Sequence, residues 1–589
     1  MVGTNSSAFH AHPPTAPTRP RPRRRCISAA QGLVKMSLPD SVHAVLSSYV
    51  AHVREFVANS STSYLVALAL VNIPLISIAL NVLFQLLPRD KSRPPLVWHW
   101  IPVFGSAAGY GQDPIQFFLD CREKYGNVFT FVLLGRRVTV ALGPEGNNFI
   151  MGGKHTVMSA EDAYTHLTTP VFGKDVVYDC PNEMLMEQKK FVKFGLRLEN
   201  FRAYVSMIED EVIQFMNKDS SFRIFQMNDI NEWGRFDVLD AVSEITILTA
   251  SRTLQGREVR EAINKNYAQV FADLDGGFTP LHWLFPNLPL PSYRKRDLAQ
   301  KKMSDLYIDI IRKRREAGNT SDEVDMIASL CNQKYRNGKV LEDHEIAHIM
   351  IALLMAGQHT SSATGSWILL HLAQRPEIVE EVYQEQVKHF RNPDGTWRSM
   401  EYEDIRQLPV LDCVIRETLR MHPPIHSIMR KLRDDVVVPQ TLASPSEDGS
   451  YVVPKGDMVL SSAAVSQVDP LLWRNSFEWD PSRWADPEGV AQQAFKQYDD
   501  ENGAKVDFGF GLVSKGTESP YQPFGAGRHR CIGEQFAYLQ LSTVVATLIR
   551  RVEIKLETDM PKPNYQTMIT LPKKPRNICY RRREFEQQA

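Results

Sequence analysis

One cysteine of this chain sits on a loop punctuated by glycine: Phe524-Gly525-Ala526-Gly527-Arg528-His529-Arg530-Cys531-Ile532-Gly533-Glu534, just ahead of a long apolar stretch. Glycines at 525, 527 and 533 let the backbone turn tightly and lie flat against a planar partner, because they carry no Cβ. A sulfur presented in this way is a candidate axial ligand for haem iron. Arg528, His529 and Arg530 place positive charge around it. A lone loop cysteine is more often a small buried apolar residue; the whole eleven-residue string is what favours the ligand.

At 589 residues, 43% hydrophobic and 23% charged, the chain can bury one large core with appendages. Its 68 basic residues balance 68 acidic ones, so nothing favours nucleic acid as a partner. The cysteines, Cys26, Cys121, Cys180, Cys331, Cys413, Cys531 and Cys579, are odd in number, with no C-x-x-C pair and no zinc spacing. They read as thiols of a reducing compartment.

Tyr64 to Leu87 contains no charged residue. About 24 residues rising 1.5 Å each exceed the ~30 Å hydrocarbon thickness of a bilayer, so a transmembrane helix is expected. Asn72, Pro74 and Asn81 weaken the stretch. Arg89, Lys91 and Arg93 follow it, whereas Arg54 and Glu55 nearly cancel before it, which puts the C-terminal side in the cytoplasm. The first 35 residues are rich in Pro, Ser, Ala and Arg and read as an inert, disordered tail, with Met36 as the alternative first residue. The division expected is therefore 1–63, a disordered lumenal segment; 64–87, the membrane helix; 88–98, a proline-stiffened linker; and 99–589, one large domain.

Within that domain helical patterns dominate, with short strand-like runs at Val128–Val132 and Thr139–Leu142. His344 to Ala373 is a proline-free helical pattern, apolar nearly all round, as expected of a helix crossing a core. It contains Ala356-Gly357-Gln358-His359-Thr360-Ser361-Ser362, in which Thr360 lies one turn beyond the small Ala356. Glu417 and Arg420, three apart, can pair on one helical face. Polar loops are expected at Ser444–Gly449 and Asp486–Ser519, the second as an exposed insertion ahead of the cysteine loop.

The cysteine string closely resembles the haem-thiolate loop of the cytochrome P-450 monooxygenases: Phe, two residues, Gly, three residues, Cys, one residue, Gly. His529 stands where most of that superfamily has arginine, a form typical of the fungal sterol 14α-demethylases, and Gln-His-Thr-Ser at 358–361 is the form those enzymes carry in the central helix. The resemblance covers roughly Pro94 to the C-terminus. It implies a mainly α-helical fold with small β-sheets, in which 99–589 is the haem-thiolate catalytic domain behind an N-terminal transmembrane helix. The implied reaction is removal of the 14α-methyl group of lanosterol or eburicol by three successive oxidations, in ergosterol biosynthesis. A monooxygenase acting on another lipid, or a non-catalytic haem- or sterol-binding paralogue, stays open at this point.

By the same resemblance Cys531 is the axial ligand of haem b iron, and Thr360, His359 and Asp275 deliver protons, with Asp275 favouring the charged form of His359. Tyr164, Tyr178, Lys189, Arg430 and His529 would hold the haem carboxylates. Tyr164, Thr168, Phe172, Phe278, Ala356 and Met568 would line the sterol cavity, with Met568–Pro572 as a strand pair closing it. Glu417, Arg420 and Arg483 would form the superfamily's buried structural triad. The implied partners are O2, an NADPH-cytochrome reductase, cytochrome b5, azole inhibitors and the endoplasmic reticulum membrane, which the chain would cross once.

Overall fold

The computed structural model describes Ser48, Glu55 and residues 60–583, apart from 228, 263–264, 319–324, 444–448 and 499–515. The expected N-terminal tail and most of the two polar loops lie outside these residues. The chain divides into two units, Met1–Ile76 and Ser77–Ala589, and the boundary falls inside the first helix, α1 (Thr62–Leu86). This helix is long and apolar enough to cross a membrane, and its apolar window is wholly unburied. In the second unit, the polar side chains near its end have partners. Asn81 Nδ2 donates to the carbonyls of His99 and Trp100, at 2.9 and 3.0 Å, and Gln85 exchanges two hydrogen bonds with the His99 backbone. An asparagine that weakens an apolar stretch is thus matched to a backbone carbonyl just beyond it.

The second unit is mainly helical. The helices that frame the site are α2 (Glu161–Phe172), α3 (Asn182–Gly195), α4 (Leu198–Lys218), α5 (Val238–Ala250), α6 (Lys265–Asp275), α7 (Asp343–Gln374), α8 (Pro409–Met421) and α9 (Glu534–Arg551). The long pattern expected from His344 is α7. It opens on a capping box, in which Glu342 and Glu345 each accept the other's backbone N–H, and stops ahead of Pro376, which cannot continue a helix. Trp367, Ile368, Leu370 and Leu372 of α7 are fully buried among residues of α4, α5, α8 and α9.

A five-stranded sheet flanks this core, in the order β1 (Val128–Leu133), β2 (Arg136–Ala141), then β5 (Met458–Ser461), β4 (Ile428–Leu432) and β3 (Met158–Ser159). β1 and β2 form an antiparallel hairpin, as the two strand-like runs suggest, while β2 and β5 pair in parallel. A second sheet joins Gly234–Asp237, Asn577–Arg582 and Val552–Leu556. The expected strand pair at Met568–Pro572 differs in register. Pro563–Asn564 pairs with Leu571–Pro572, and Met568 sits in the bend between them, partly exposed.

The triad forms. Glu417 and Arg420 on α8 are both fully buried, and one carboxylate accepts five donors: Arg420 Nη2 at 2.8 Å and Nε at 2.9 Å, then Arg483 Nε, the Asp480 backbone N and Trp484 Nε1, each at 3.0 Å. Arg420 spends its remaining N–H groups on the carbonyls of Gln467, Ser476 and Glu478. A buried charge is tolerable only when so satisfied. Glu417→Gln removes the charge and leaves two guanidinium groups facing a neutral amide, a loss of about 3 to 5 kcal/mol. Thermal unfolding followed by circular dichroism should show a markedly lower midpoint, and an unchanged midpoint would make the triad incidental.

Candidate haem-thiolate site

The cysteine loop is shaped by two left-handed turns, Gly525 at φ +69° and Gly527 at φ +65°, which a residue with a Cβ adopts only under strain. Cys531 N donates to Phe524 O at 3.0 Å and Arg530 N to Gly527 O at 3.1 Å, so the loop closes on itself. Gly533 has an ordinary negative φ. A Cβ there would make only ordinary van der Waals contact with the Cys531 sulfur, at 3.8 Å, so the loop depends on Gly525 and Gly527 rather than on Gly533. Cys531 presents exposed surface on one side while protein surrounds it closely on the others. Burial pushes its thiol up, against the Gly533 N–H and the charges of Lys189 and Arg530, which pull it down. A metal cation is the charge that would ionise it.

Along the buried middle of α7, Ala356 is exposed and Gly357, His359 and Thr360 are half-buried. Nothing lies within 4 Å of where a Cβ on Gly357 would stand. These small residues therefore face open space inside the domain. Thr360 Oγ1 donates to Ala356 O at 2.7 Å, and the hydroxyls of Thr364 and Ser366 do likewise one turn on, a pattern that bends helices. His359 Nε2 lies 3.3 Å from Asp275 Oδ1 at the end of α6, out of line for a hydrogen bond, and its ring leans on Phe271 at 5.4 Å. As expected, Asp275 favours the charged form of His359, but burial counts for more, and His359 is held below the usual histidine range. The Asp275 side chain is 53% exposed, and its charge is screened by water.

The residues expected to hold haem carboxylates meet beside the loop. Tyr164 on α2 stacks on Tyr178 at 5.5 Å, and Tyr178 lies 6.0 Å from the ring of His529. Burial raises the Tyr178 phenol to about 12. His529 is held well below its usual value by burial and by Arg430, Lys189 and Arg528 around it; its buried Nε2 has no hydrogen-bond partner among the described residues. None of Lys189, Arg430 and Arg528 has a carboxylate within 4 Å among the described residues, although Arg430 is 4% exposed. Three cations and an orphaned imidazole beside a cysteine on a flat loop fit a planar group that brings two carboxylates and an iron.

Two assigned groups are already engaged. Tyr164 Oη accepts the Met429 N–H at 2.8 Å, leaving its own proton to donate. Lys189 on α3, pushed down to about 8 by burial, donates to the carbonyls of Arg528 and Arg530 at 3.1 and 3.0 Å. The lysine therefore ties down the cysteine loop itself, and of its three N–H groups one remains for a carboxylate. Phe172 of α2 packs on Phe278, ring centroids 5.6 Å apart, while Thr168 turns its hydroxyl back to Tyr164 O.

The sequence did not single out Gln467, Gln522 or Tyr498. Gln467 takes the Arg420 guanidinium on its carbonyl and the Gln522 N–H on its side chain, at 2.8 Å each, and Gln522 O accepts the Gly525 N–H at 3.0 Å. This relay carries the triad into the cysteine loop.

A helical fold that sets a glycine-framed cysteine beside unpaired cations and a Glu-Arg-Arg triad is that of a haem-thiolate protein. Residues 94–580 match the cytochrome P450 family. The retinoic acid-bound cyanobacterial CYP120A1 superposes with a TM-score of 0.67 at 20% identity, over 84% of this chain and 100% of that one, a likeness of fold. The chain is 53% identical to the lanosterol 14-alpha demethylase of Mycosarcoma maydis, over 88% of this chain and 93% of that protein. It is 46% identical to the lanosterol 14-alpha demethylase of Candida tropicalis, over 86% and 93%, and 47% identical to a sterol 14-alpha demethylase of Gibberella zeae, over 86% and 94%. The chain belongs to the cytochrome P450 family and, within it, to the fungal sterol 14-alpha demethylases.

Replacing Lys189 by Met should leave the carbonyls of Arg528 and Arg530 short of a donor and loosen the cysteine loop. Charge-assisted bonds of this kind are worth about 1.5 to 3 kcal/mol, so transfer of haem to an apo-globin acceptor should quicken by about tenfold or more. An unchanged transfer rate would reduce Lys189 to packing.

Proposed function

We propose that this protein removes the 14α-methyl group of a fungal sterol, lanosterol or eburicol, as a haem-thiolate monooxygenase. The observation that carries the reading is the Cys531 loop with the uncompensated cations Lys189 and Arg430 at its side. Two further features of the fold support it, the opened face of α7 at Ala356 and Gly357 and the His359–Asp275 contact. Relatives at 46 to 53% identity carry that activity in their names.

Haem, when bound, supplies the activation of O2. Cys531 would hold its iron, and Lys189, Arg430, His529, Tyr164 and Tyr178 would hold its carboxylates. Phe172 and Phe278, with Thr168, Ala356, Tyr164 and Met568, would enclose the sterol and keep water from it. His359 is suited to relay protons because burial keeps its ring neutral, and a neutral imidazole can accept on one nitrogen and donate from the other. Asp275, half in solvent, would receive each proton from water, and Thr360 would release its hydrogen bond to Ala356 O in order to pass it inward. NADPH electrons would arrive through a separate reductase, with cytochrome b5 as a second donor. Azoles would occupy the sterol's place. Arg89, Lys91 and Arg93 beyond α1 favour a single span with the catalytic domain cytoplasmic, in the endoplasmic reticulum.

Reconstitution with reductase, NADPH and each sterol should yield the 14-demethylated product from at least one. Hydroxylation of a different lipid alone, or no turnover together with failure to complement a demethylase-deficient yeast, would contradict the reading. In the same assay His359→Ala should cut turnover on the order of tenfold to a hundredfold and divert NADPH consumption to hydrogen peroxide. Asp275→Ala should do the same, and the double variant should add little. Fully additive losses would leave the pair a structural contact.

A further inference from the structure

We propose that Tyr498 is a positioning residue for the cysteine ligand, acting through Arg530, the residue that directly precedes Cys531. The proposal deepens the reading above and rests on Cys531 as the iron's ligand. Arg530 directly precedes that cysteine and is 8% exposed. Among the described residues, four stretches of chain hold it. Its carbonyl accepts Lys189 Nζ from α3, and its backbone N–H goes to Gly527 O within the loop. Its Nε and Nη2 donate to Glu534 Oε2 at the start of α9. The face of the guanidinium lies on the Tyr498 ring, 3.9 Å from the centroid.

Tyr498 is built into that position. It is 5% exposed, and its hydroxyl donates to Tyr521 O at 2.8 Å. Gly516, at φ +73°, passes so close that a Cβ there would fall 2.1 Å from the tyrosine ring. Only a glycine allows that approach. The neighbouring Phe495 covers Arg416 in the same manner, at 3.9 Å. Between the two rings and the loop, the residual cavity is about 10 Å³, room for a single water at most. With Arg530 held by these contacts, its charge acts on the neighbouring cysteine from a fixed position. A desolvated cation against an aromatic face is also a strong contact, and it depends on the ring rather than on the hydroxyl.

The test uses the full-length holoprotein with haem and sterol bound, comparing wild type, Tyr498→Leu and Tyr498→Phe. The first readout is the iron–sulfur stretching frequency by resonance Raman spectroscopy. The second is the rate at which the reduced, CO-bound thiolate band converts to the thiol-ligated band below the unfolding temperature. Tyr498→Leu should shift the stretch and speed the conversion by about tenfold, with unchanged far-UV circular dichroism, and Tyr498→Phe should match wild type in both. A leucine variant identical to wild type, or a phenylalanine variant as impaired as leucine, would overturn the proposal. A wild-type protein with no thiolate band would instead overturn the assignment of Cys531, and the proposal with it.

Discussion

A single carboxylate organises the core beneath the site. Glu417 has no exposed surface, and five donors from two stretches of chain converge on it: Arg420 with two N–H groups from α8 itself, and Asp480, Arg483 and Trp484 from the turn that follows Glu478. An ion so buried is stable only if every lone pair is used, so these segments are held in one arrangement or the cost is several kcal/mol. The consequence travels. Arg420 fixes the Gln467 carbonyl, the Gln467 side chain fixes Gln522, and Gln522 fixes the amide of Gly525, where the cysteine loop begins its first left-handed turn. The sulfur's direction is set by hydrogen bonds that begin about a hundred residues away in sequence.

On the other side of the loop the balance is between burial and charge, and it resolves differently at each residue. Lys189 loses basicity to burial yet remains a donor to two loop carbonyls. His529 and His359 are both driven toward the neutral imidazole, the first by burial and neighbouring cations, the second by burial alone against an opposing aspartate. A neutral histidine can accept on one nitrogen and donate from the other. The cations that remain unpaired, Lys189, Arg430 and Arg528, are a reserve of positive charge matched to an anionic planar ligand.

How much of this is legible in the sequence follows from range. The cysteine loop, the long central helix, the hairpin of β1 and β2, and the Glu-Arg pair are all local: glycine spacing, 3.6-residue and two-residue periods, and an i,i+3 carboxylate–guanidinium pair determine them. Gln467, Gln522 and Tyr498 are not legible, because each is an ordinary polar or aromatic residue whose partner lies far along the chain. The Met568 bend and the neutral state of His359 escape for related reasons. A two-residue strand pair has too little pattern to register, and a histidine's charge depends on the depth of its burial as much as on its neighbour. Of the residues named through the family likeness, Tyr164, Tyr178 and His529 lie ring to ring and Phe172 packs on Phe278, but Lys189 and Tyr164 turn part of their bonding capacity to the backbone, which no linear motif records.

The account stands on Cys531 being held at the iron by this framework. The most direct measurement is the absorbance of the reduced, CO-bound protein, purified full-length, beside Cys531→Ala. Wild type should show the red-shifted Soret band that only a thiolate ligand gives, and the alanine variant should lose it, because among the described residues no other cysteine lies on a comparable glycine-framed loop. A thiolate-type band that survives in Cys531→Ala would contradict the account.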